Sequence, residues 1–343
     1  MKEAQLYIKA EDQRVHCRLC AQACIIREGK FGYCRVRQNI KGVLYTHNYG
    51  KLVAANVDPI EKKPLFHFLP GSKAFSIACA GCNFRCGFCQ NWEISQADFI
   101  KEQPAEEVSP ENIIRLAKQS AAESIAYTYT EPTIYFEFAL AVMKLAKACG
   151  FNNIFVTNGY MDKEAVYLLK PYLDAVNVDL KFFKEDSYRK ICSAKLGPVL
   201  DSIRLFQELG IWVEVTTLII PGENDSEEEL NAIAAFISSL DKNIPWHVSR
   251  FHADYEFDSY PSTPEKTLKM AYALGRAHGL RYIYAGNISG WGQDTFCSKC
   301  RRLLIKREGY SVLESHLSGN RCLYCQETLP GIFINTRELT EKD

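Results

Sequence analysis

The sequence predicts an α/β fold: a parallel sheet with helical crossovers, bent into a partial barrel, with a small cysteine-bearing module at each end. Three observations predict it. Between roughly residues 74 and 285, short runs rich in β-branched and aromatic residues alternate with stretches of helical period. Polar or glycine-bearing segments follow each run, which is where a barrel carries its functional loops. The chain of 343 residues holds 14 cysteines, gathered into three groups, two of them outside the alternating region.

Residues 1–60 lack the alternation and carry Cys17, Cys20, Cys24 and Cys34. A module this small needs a metal or disulfide staple. AFSIAC (74–79) is the first barrel strand and runs into CAGCNFRCGFC (79–89). SPENIIRLAKQSAA (109–122) is a helix with Ser109 as N-cap and Pro110 at its first position. SIAYTY (124–129) is a strand followed by TEPT, and residues 134–149 form a helix that stops at Gly150. NIFVT (153–157) leads into TNGY, and DAVNVDL (174–180) ends in DLK. VEVTTLII (213–220) precedes PGEND and a helix over 226–240. HVSRF (247–251) precedes FHAD and a helix over 264–278, and RYIYA (281–285) precedes AGNISG. Six or seven such units within residues 61–290 imply a parallel sheet with crossovers, a partial (β/α)6-type TIM barrel. Residues 291–343 form the last module, in which LLIKREGYSVL reads as a hairpin turning near Glu308-Gly309.

The composition is ordinary for a globular chain, 47% hydrophobic and 24% charged. Lys+Arg and Asp+Glu are both 41, so a general nucleic-acid or acidic-membrane surface is not expected. No apolar stretch reaches spanning length and the start, MKEAQLYIKAEDQ, lacks a signal-peptide core, so a soluble cytoplasmic protein is expected. In a reducing compartment the cysteine density argues for metal sites. Outside the three groups stand only Cys149 and Cys192, read as small apolar side chains.

The cysteine spacings carry the chemistry. Cys82, Cys86 and Cys89 are spaced C-x3-C-x2-C. Three thiolates in one tight loop can hold three irons of a [4Fe-4S] cluster and leave the fourth iron open. The alternative enlists Cys79 and makes a four-cysteine zinc knot, but its three-residue linker is cramped. Cys297-x2-Cys300 and Cys322-x2-Cys325, 21 residues apart, have zinc-ribbon spacing. Cys17, Cys20, Cys24 and Cys34 suit zinc or an auxiliary [4Fe-4S] cluster; the glycine-bearing loop REGKFGY tilts the reading to zinc, with His16 a spare neighbour.

C82-N-F-R-C86-G-F-C89 resembles the signature of radical S-adenosylmethionine (SAM) enzymes, with Phe88 as its aromatic. GCNFRCGFCQNWEISQ (81–96), with CRLCAQAC, YTYTEPT, VNVDLK and YAGNISG, resembles the radical SAM component of the AmmeMemoRadiSam system, a group related to pyruvate formate-lyase activating enzymes. The resemblance implies that the open iron chelates SAM and that reductive cleavage yields a hydrogen-abstracting 5′-deoxyadenosyl radical. It implies Phe88 against the adenine and Glu131 toward the SAM amino group, though the two glycines of that motif are absent here. It implies Thr157, Asn158 and Asp179 near the carboxylate or ribose, Lys181 facing the substrate as the catalytic candidate, and His252 contacting SAM. An electron donor such as flavodoxin or ferredoxin is implied too. A protein or peptide substrate is expected; a small-molecule or nucleotide substrate, or a zinc-dependent binding protein, are the alternatives.

Overall fold

The alternating region folds into one sheet. The computed structural model describes residues 1–96 and 107–333. Its large sheet contains β1 (Leu52–Pro59), β2 (Lys73–Cys79), β3 (Ser124–Tyr127), β4 (Asn152–Thr157), β5 (Ala175–Asp179), β6 (Trp212–Ile219), β7 (Trp246–Arg250) and β8 (Ile283–Gly286). The strands pair strictly in chain order, and among the described residues no pairing joins β8 back to β1, so the sheet is open. Strands β2 to β8 are parallel, seven rather than six. β1, drawn from sequence as part of the N-terminal module, pairs antiparallel with β2.

Parallel strands are covered on both faces and so read as nearly continuous apolar runs. β2 and β3 behave this way: apart from Lys73, every residue in them is buried. The crossovers contain α1 (Pro110–Gln119), α2 (Phe136–Ala148), α3 (Lys163–Leu169), α4 (Leu196–Glu208), α5 (Glu227–Leu240) and α6 (Glu265–Ala277). Ser109 caps α1 by accepting from the Asn112 N–H at 3.2 Å, and Ser226 caps α5 through the Glu229 N–H at 3.2 Å. The sequence reading names no helix in the crossovers of α3 and α4. α3 has only seven residues, and α4 opens on Leu-Gly-Pro, so neither shows a clear period. No helix among the described residues is long and apolar enough to cross a membrane.

A buried carboxylate fastens the segment between β1 and β2 against the open side. Glu214 on β6 accepts from the backbone N–H groups of Phe66 (3.0 Å) and His67 (2.8 Å) and from the Trp212 indole (3.0 Å). His247 on β7 lies 2.6 Å from Oε2, the oxygen that also takes the Phe66 N–H. Burial raises the Glu214 pKa, but the bond and charge of His247 outweigh it, and the net direction is down. The C-terminal module docks on the same segment. Its hairpin, β9 (Leu303–Glu308) and β10 (Ser311–Ser315), carries Arg307, which is buried and donates to the Phe66 carbonyl at 2.8 Å and pairs with Glu61. The His67 ring lies 2.7 Å from the Pro330 carbonyl and 2.6 Å from the Tyr284 hydroxyl.

At the other end, Arg37 and Glu137 form a buried ion pair that fixes the N-terminal strands to α2. The Ala21 N–H donates to the Tyr160 carbonyl at 3.3 Å, bringing the first cysteine group against the loop after β4.

The contacts of His67 fit a neutral ring, with Nδ1–H donating to a carbonyl and Nε2 accepting from a hydroxyl. Burial lowers its pKa to about 4. In the unfolded chain the value is about 6.5, so between about 4 and 6.5 the unfolded state binds the extra proton. Stability should therefore fall as pH drops through that window, by up to about 3 kcal/mol from this group. Urea titrations across the window should show that slope, and His67→Gln should flatten it; an unchanged slope would remove His67 as its source.

Candidate functional site

Of the residues that sequence reading singled out, Cys82, Cys86, Phe88, Cys89, Glu131, Thr157, Asn158, Asp179 and Lys181 converge on one cavity. It has a volume of about 510 Å³ and is lined from the C-terminal ends of the parallel strands, including Cys82 beyond β2, Glu131 beyond β3, Thr157 on β4, Asp179 on β5 and Ser249 on β7. Its size is that of a small-molecule site.

The cysteine loop is held on both sides. Its Gly87 N–H and Arg85 N–H donate to the carbonyls of Ile191 (3.3 Å) and Cys192 (3.0 Å). Gly87 is confined: a Cβ there would lie 2.7 Å from the Phe257 ring. Gly81 has φ +99°, a conformation side chains resist, and its open face meets Val36 of the N-terminal module.

Cys82, Cys86 and Cys89 all line the cavity. Their sulfurs have polar company. The Phe84 N–H donates to Cys82 at 3.3 Å, the Asn158 amide lies 3.8 Å from it, and the Ser95 hydroxyl lies 3.2 Å from Cys89. Burial pushes the thiols of Cys82 and Cys89 up, and a hydrogen bond with Cys192, then burial, does so for Cys86. Such thiols ionise when cations compensate them. Three thiolates in one short loop on the cavity wall suit a group in which each sulfur binds a different iron. The donor set and its spacing therefore fit the [4Fe-4S] cluster. Cys79 is fully buried and is not among the residues lining the cavity, and burial pushes its thiol up as well.

Glu131 is buried and ties two loops together. It accepts from the Thr133 N–H (3.0 Å), the Thr133 hydroxyl, the Thr157 hydroxyl (2.8 Å) and the Asn158 N–H (2.8 Å). Burial raises its pKa against these lowering bonds. One oxygen carries three of the four bonds, so Oε2, which takes only the Asn158 N–H, keeps an acceptor site. The Asn158 side-chain amide in turn donates to the Asn83 side-chain oxygen, Oδ1, at 2.8 Å. Where the glycines of the resembled motif are missing, Tyr129 adopts the left-handed conformation with φ +64°. Its hydroxyl is anchored by Asp58, which repays part of that strain.

Asp179 and Lys181 pair at 2.8 Å inside the cavity rather than on open surface. Burial pulls the Lys181 pKa down, but Asp179, Cys86 and Cys192 together pull harder, and the net direction is up, so the ammonium persists. Its Nζ stands 5.6 Å from the centre of the Phe88 ring. Phe88 is buried and held edge-on by Phe182 and Phe257, each 5.9 Å away.

His252 departs from expectation. Its ring is exposed and does not line the cavity; Gln90, which does, lies 2.9 Å from its Nδ1. The strand ahead of it turns Ser249 inward instead, because side chains alternate along a strand. Two groups escaped the sequence reading. Cys192, taken for a small apolar side chain, is hydrogen-bonded to the Cys86 thiol. Lys63 lines the cavity from the segment between β1 and β2, buried against Asp58 at 2.6 Å, and burial lowers its pKa to about 8. Cys192 carries no sequence signal because its contact spans a crossover; Lys63 pairs with Asp58 five residues away, and that spacing alone does not point into a cavity.

The sulfurs of Cys297, Cys300, Cys322 and Cys325 all lie within 4.8 Å of one another, with Cys297–Cys325 at 3.6 Å and Cys300–Cys322 at 3.8 Å. A tetrahedral ion with bonds of about 2.3 Å sets its sulfurs about 3.8 Å apart, so the group fits a single metal ion.

Known proteins bear on the site. The profile of the radical SAM superfamily matches residues 76–234. An uncharacterised protein of Methanocaldococcus jannaschii is 44% identical over 96% of this chain and 99% of its own length. A putative glycyl-radical enzyme activating enzyme of the same organism is 27% identical over 52% of this chain and 68% of its own. Among solved structures, SuiB of Streptococcus suis bound to S-adenosylmethionine matches with a TM-score of 0.50 at 14% identity, over 66% of this chain and 53% of that one, which shows a shared fold.

Two substitutions separate the cysteines by role. Cys79→Ser should keep the iron content of the anaerobically reconstituted protein, whereas Cys82→Ser, Cys86→Ser or Cys89→Ser should each lose the cluster absorbance. Cys325→Ala should lower the melting temperature and release about one tightly held metal ion per chain, with that absorbance intact. Loss of the iron signal in Cys325→Ala would contradict the separation.

Proposed function

The chain belongs to the radical SAM superfamily, and we propose that it uses S-adenosylmethionine at the Cys82–Cys86–Cys89 loop to abstract hydrogen from a protein or peptide. Membership implies a [4Fe-4S] cluster and S-adenosylmethionine. Bound together, these supply reductive cleavage of the sulfonium carbon–sulfur bond and, through it, hydrogen-atom abstraction. The protein supplies orientation and exclusion of water.

Each residue then has a task. Cys82, Cys86 and Cys89 hold the cluster. Glu131 Oε2 accepts from the amino group of the cofactor, and its other bonds keep Thr157 and Asn158 in place. Asp179 and Thr157 offer an acceptor and a hydroxyl to the ribose or carboxylate end. Phe88, locked by its aromatic neighbours, is the apolar wall for the adenine. Lys181 holds its proton beside Asp179 and presents a fixed cation to the substrate, where a peptide carbonyl or carboxylate is the natural partner. The C-terminal cysteines hold zinc, and a flavodoxin or ferredoxin delivers the electron.

The observation that carries this reading is the Asp179–Lys181 pair facing the same cavity as the three cysteines. The peptide reading draws on the likeness of Asp179-Leu180-Lys181 to activating enzymes and on the relative bearing that name.

With reductant and S-adenosylmethionine, the reconstituted protein should release 5′-deoxyadenosine slowly without substrate. A lysate from deuterium-grown cells, split by ultrafiltration, supplies the decisive test. Deuterium should enter 5′-deoxyadenosine from the retained macromolecular fraction, and Lys181→Ala should lose that transfer while keeping the slow background. Transfer from the filtrate alone would replace the peptide reading with a small-molecule or nucleotide substrate. A protein that takes up zinc but no iron would end the radical reading.

A further inference from the structure

We propose that Lys62 and Lys63, on the segment between β1 and β2, form an anion-binding subsite of the cavity, where a carboxylate or phosphate of the substrate docks. Both lysines line the cavity that holds Cys82, Cys86 and Cys89. They share one counter-ion, Asp58, near the end of β1. Lys62 Nζ lies 2.9 Å from its Oδ1, and Lys63 Nζ lies 2.6 Å from its Oδ2. Oδ2 also accepts from the Tyr129 hydroxyl. Burial raises the Asp58 pKa, but the bonds from Lys63, Tyr129 and Lys62 outweigh it, and the net direction is down.

Two ammonium groups thus share one carboxylate, and one positive charge is left over. The other acids on the cavity wall are already committed. Glu61, next in sequence, pairs with the buried Arg307. Asp179 pairs with Lys181. Glu131 is bound by donors from two loops and faces the amino group of the cofactor in the proposed function. Burial, above all, lowers the Lys63 pKa to about 8; Asp58 pulls it up and the like charge of Lys62 pushes it down. An excess charge at a wall largely removed from water favours an anionic ligand.

The two lysines have different parts. The Lys63 side chain is 2% exposed, and its ammonium stands 4.4 Å from the centre of the Tyr129 ring, so it is a fixed charge behind the wall. The Lys62 side chain is 45% exposed. Asp58 takes one of its three N–H donors, and the ammonium can turn the others to a ligand. An ammonium is a compact point charge, which suits carboxylate and phosphate alike. The loop after β3 joins this subsite to the cofactor end, because Tyr129 borders the lysines and Glu131 follows two residues later. A substrate anion held at Lys62 is thereby positioned beside the reacting end of the cavity. The anion site rests on this geometry; its use by the substrate rests on the proposed radical function.

Calorimetric titration of the full reconstituted chain with inorganic phosphate, and separately with glutarate, reads the site without turnover. One saturable binding event per chain is expected with at least one of the two, both with and without S-adenosylmethionine. Lys62→Gln should weaken it by about tenfold, and Lys62→Arg should keep it because the charge is retained. No saturable heat, or equal binding by Lys62→Gln, would overturn the subsite. Loss of anion binding on addition of S-adenosylmethionine would overturn it too, since the lysines would then serve the carboxylate of the cofactor. Use by the substrate is read from deuterium transfer out of the retained macromolecular fraction. Phosphatase treatment of that fraction should abolish the transfer if a phosphate docks; capping its carboxylates with carbodiimide and methylamine should do so if a carboxylate docks. Transfer unchanged by both treatments would overturn the substrate role. Anion binding that persists in a protein unable to cleave S-adenosylmethionine would support the subsite and end the radical reading instead.

Discussion

The Glu214 carboxylate is the interaction on which the assembly turns. A parallel sheet left open along one side must have its exposed interior filled, and the filler here is the segment from Ile60 to Leu69. A buried loop needs partners for its backbone groups. Glu214 supplies two of them at once, and one of its oxygens also meets the His247 ring at 2.6 Å. The fastened segment then works in two directions. Toward the cavity it presents Lys62 and Lys63; toward the outside it offers the Phe66 carbonyl and His67 to the C-terminal module. The module is thus continuous with the sheet interior, which its hairpin reaches through Arg307.

The same economy operates at the open ends of the strands. Glu131 is bound by donors from its own loop and from the loop after β4, so the two loops move as one unit. That unit ends in Asn158, which touches both Cys82 and Asn83. A carboxylate that a resemblance casts as a ligand contact is therefore also a structural knot, and substitutions there would disturb cluster and cofactor together. Lys181 is similar: its charge is sustained by Asp179 yet lies over Phe88, so cation, aromatic wall and cysteine loop share one set of contacts.

Three cysteine groups in one chain also show what distance contributes beyond residue identity. Thiolates are interchangeable as donors, and zinc and iron–sulfur clusters both accept them. What differs is how far apart the sulfurs must stand. The C-terminal set is drawn together as a single ion requires. Asn83 lies between the other two sets, which makes their proximity a property of the fold.

The sequence by itself determined the strands, the order of the loops and the cysteine loop at the end of the first parallel strand, because these depend on local periodicity, turn chemistry and spacing over a few residues. It also carried the radical SAM signature, which is contiguous. Tertiary structure alone decided what depends on contacts across crossovers. It turned His252 outward and Ser249 inward, brought Cys192 to Cys86, and committed most of the acceptor capacity of Glu131. It made Leu52–Pro59 the edge of the large sheet, a strand whose mixed burial gives no clean alternation to read. And it brought the four C-terminal sulfurs within 4.8 Å of one another, which sequence spacing leaves open because two C-x2-C pairs 21 residues apart meet only through the fold between them.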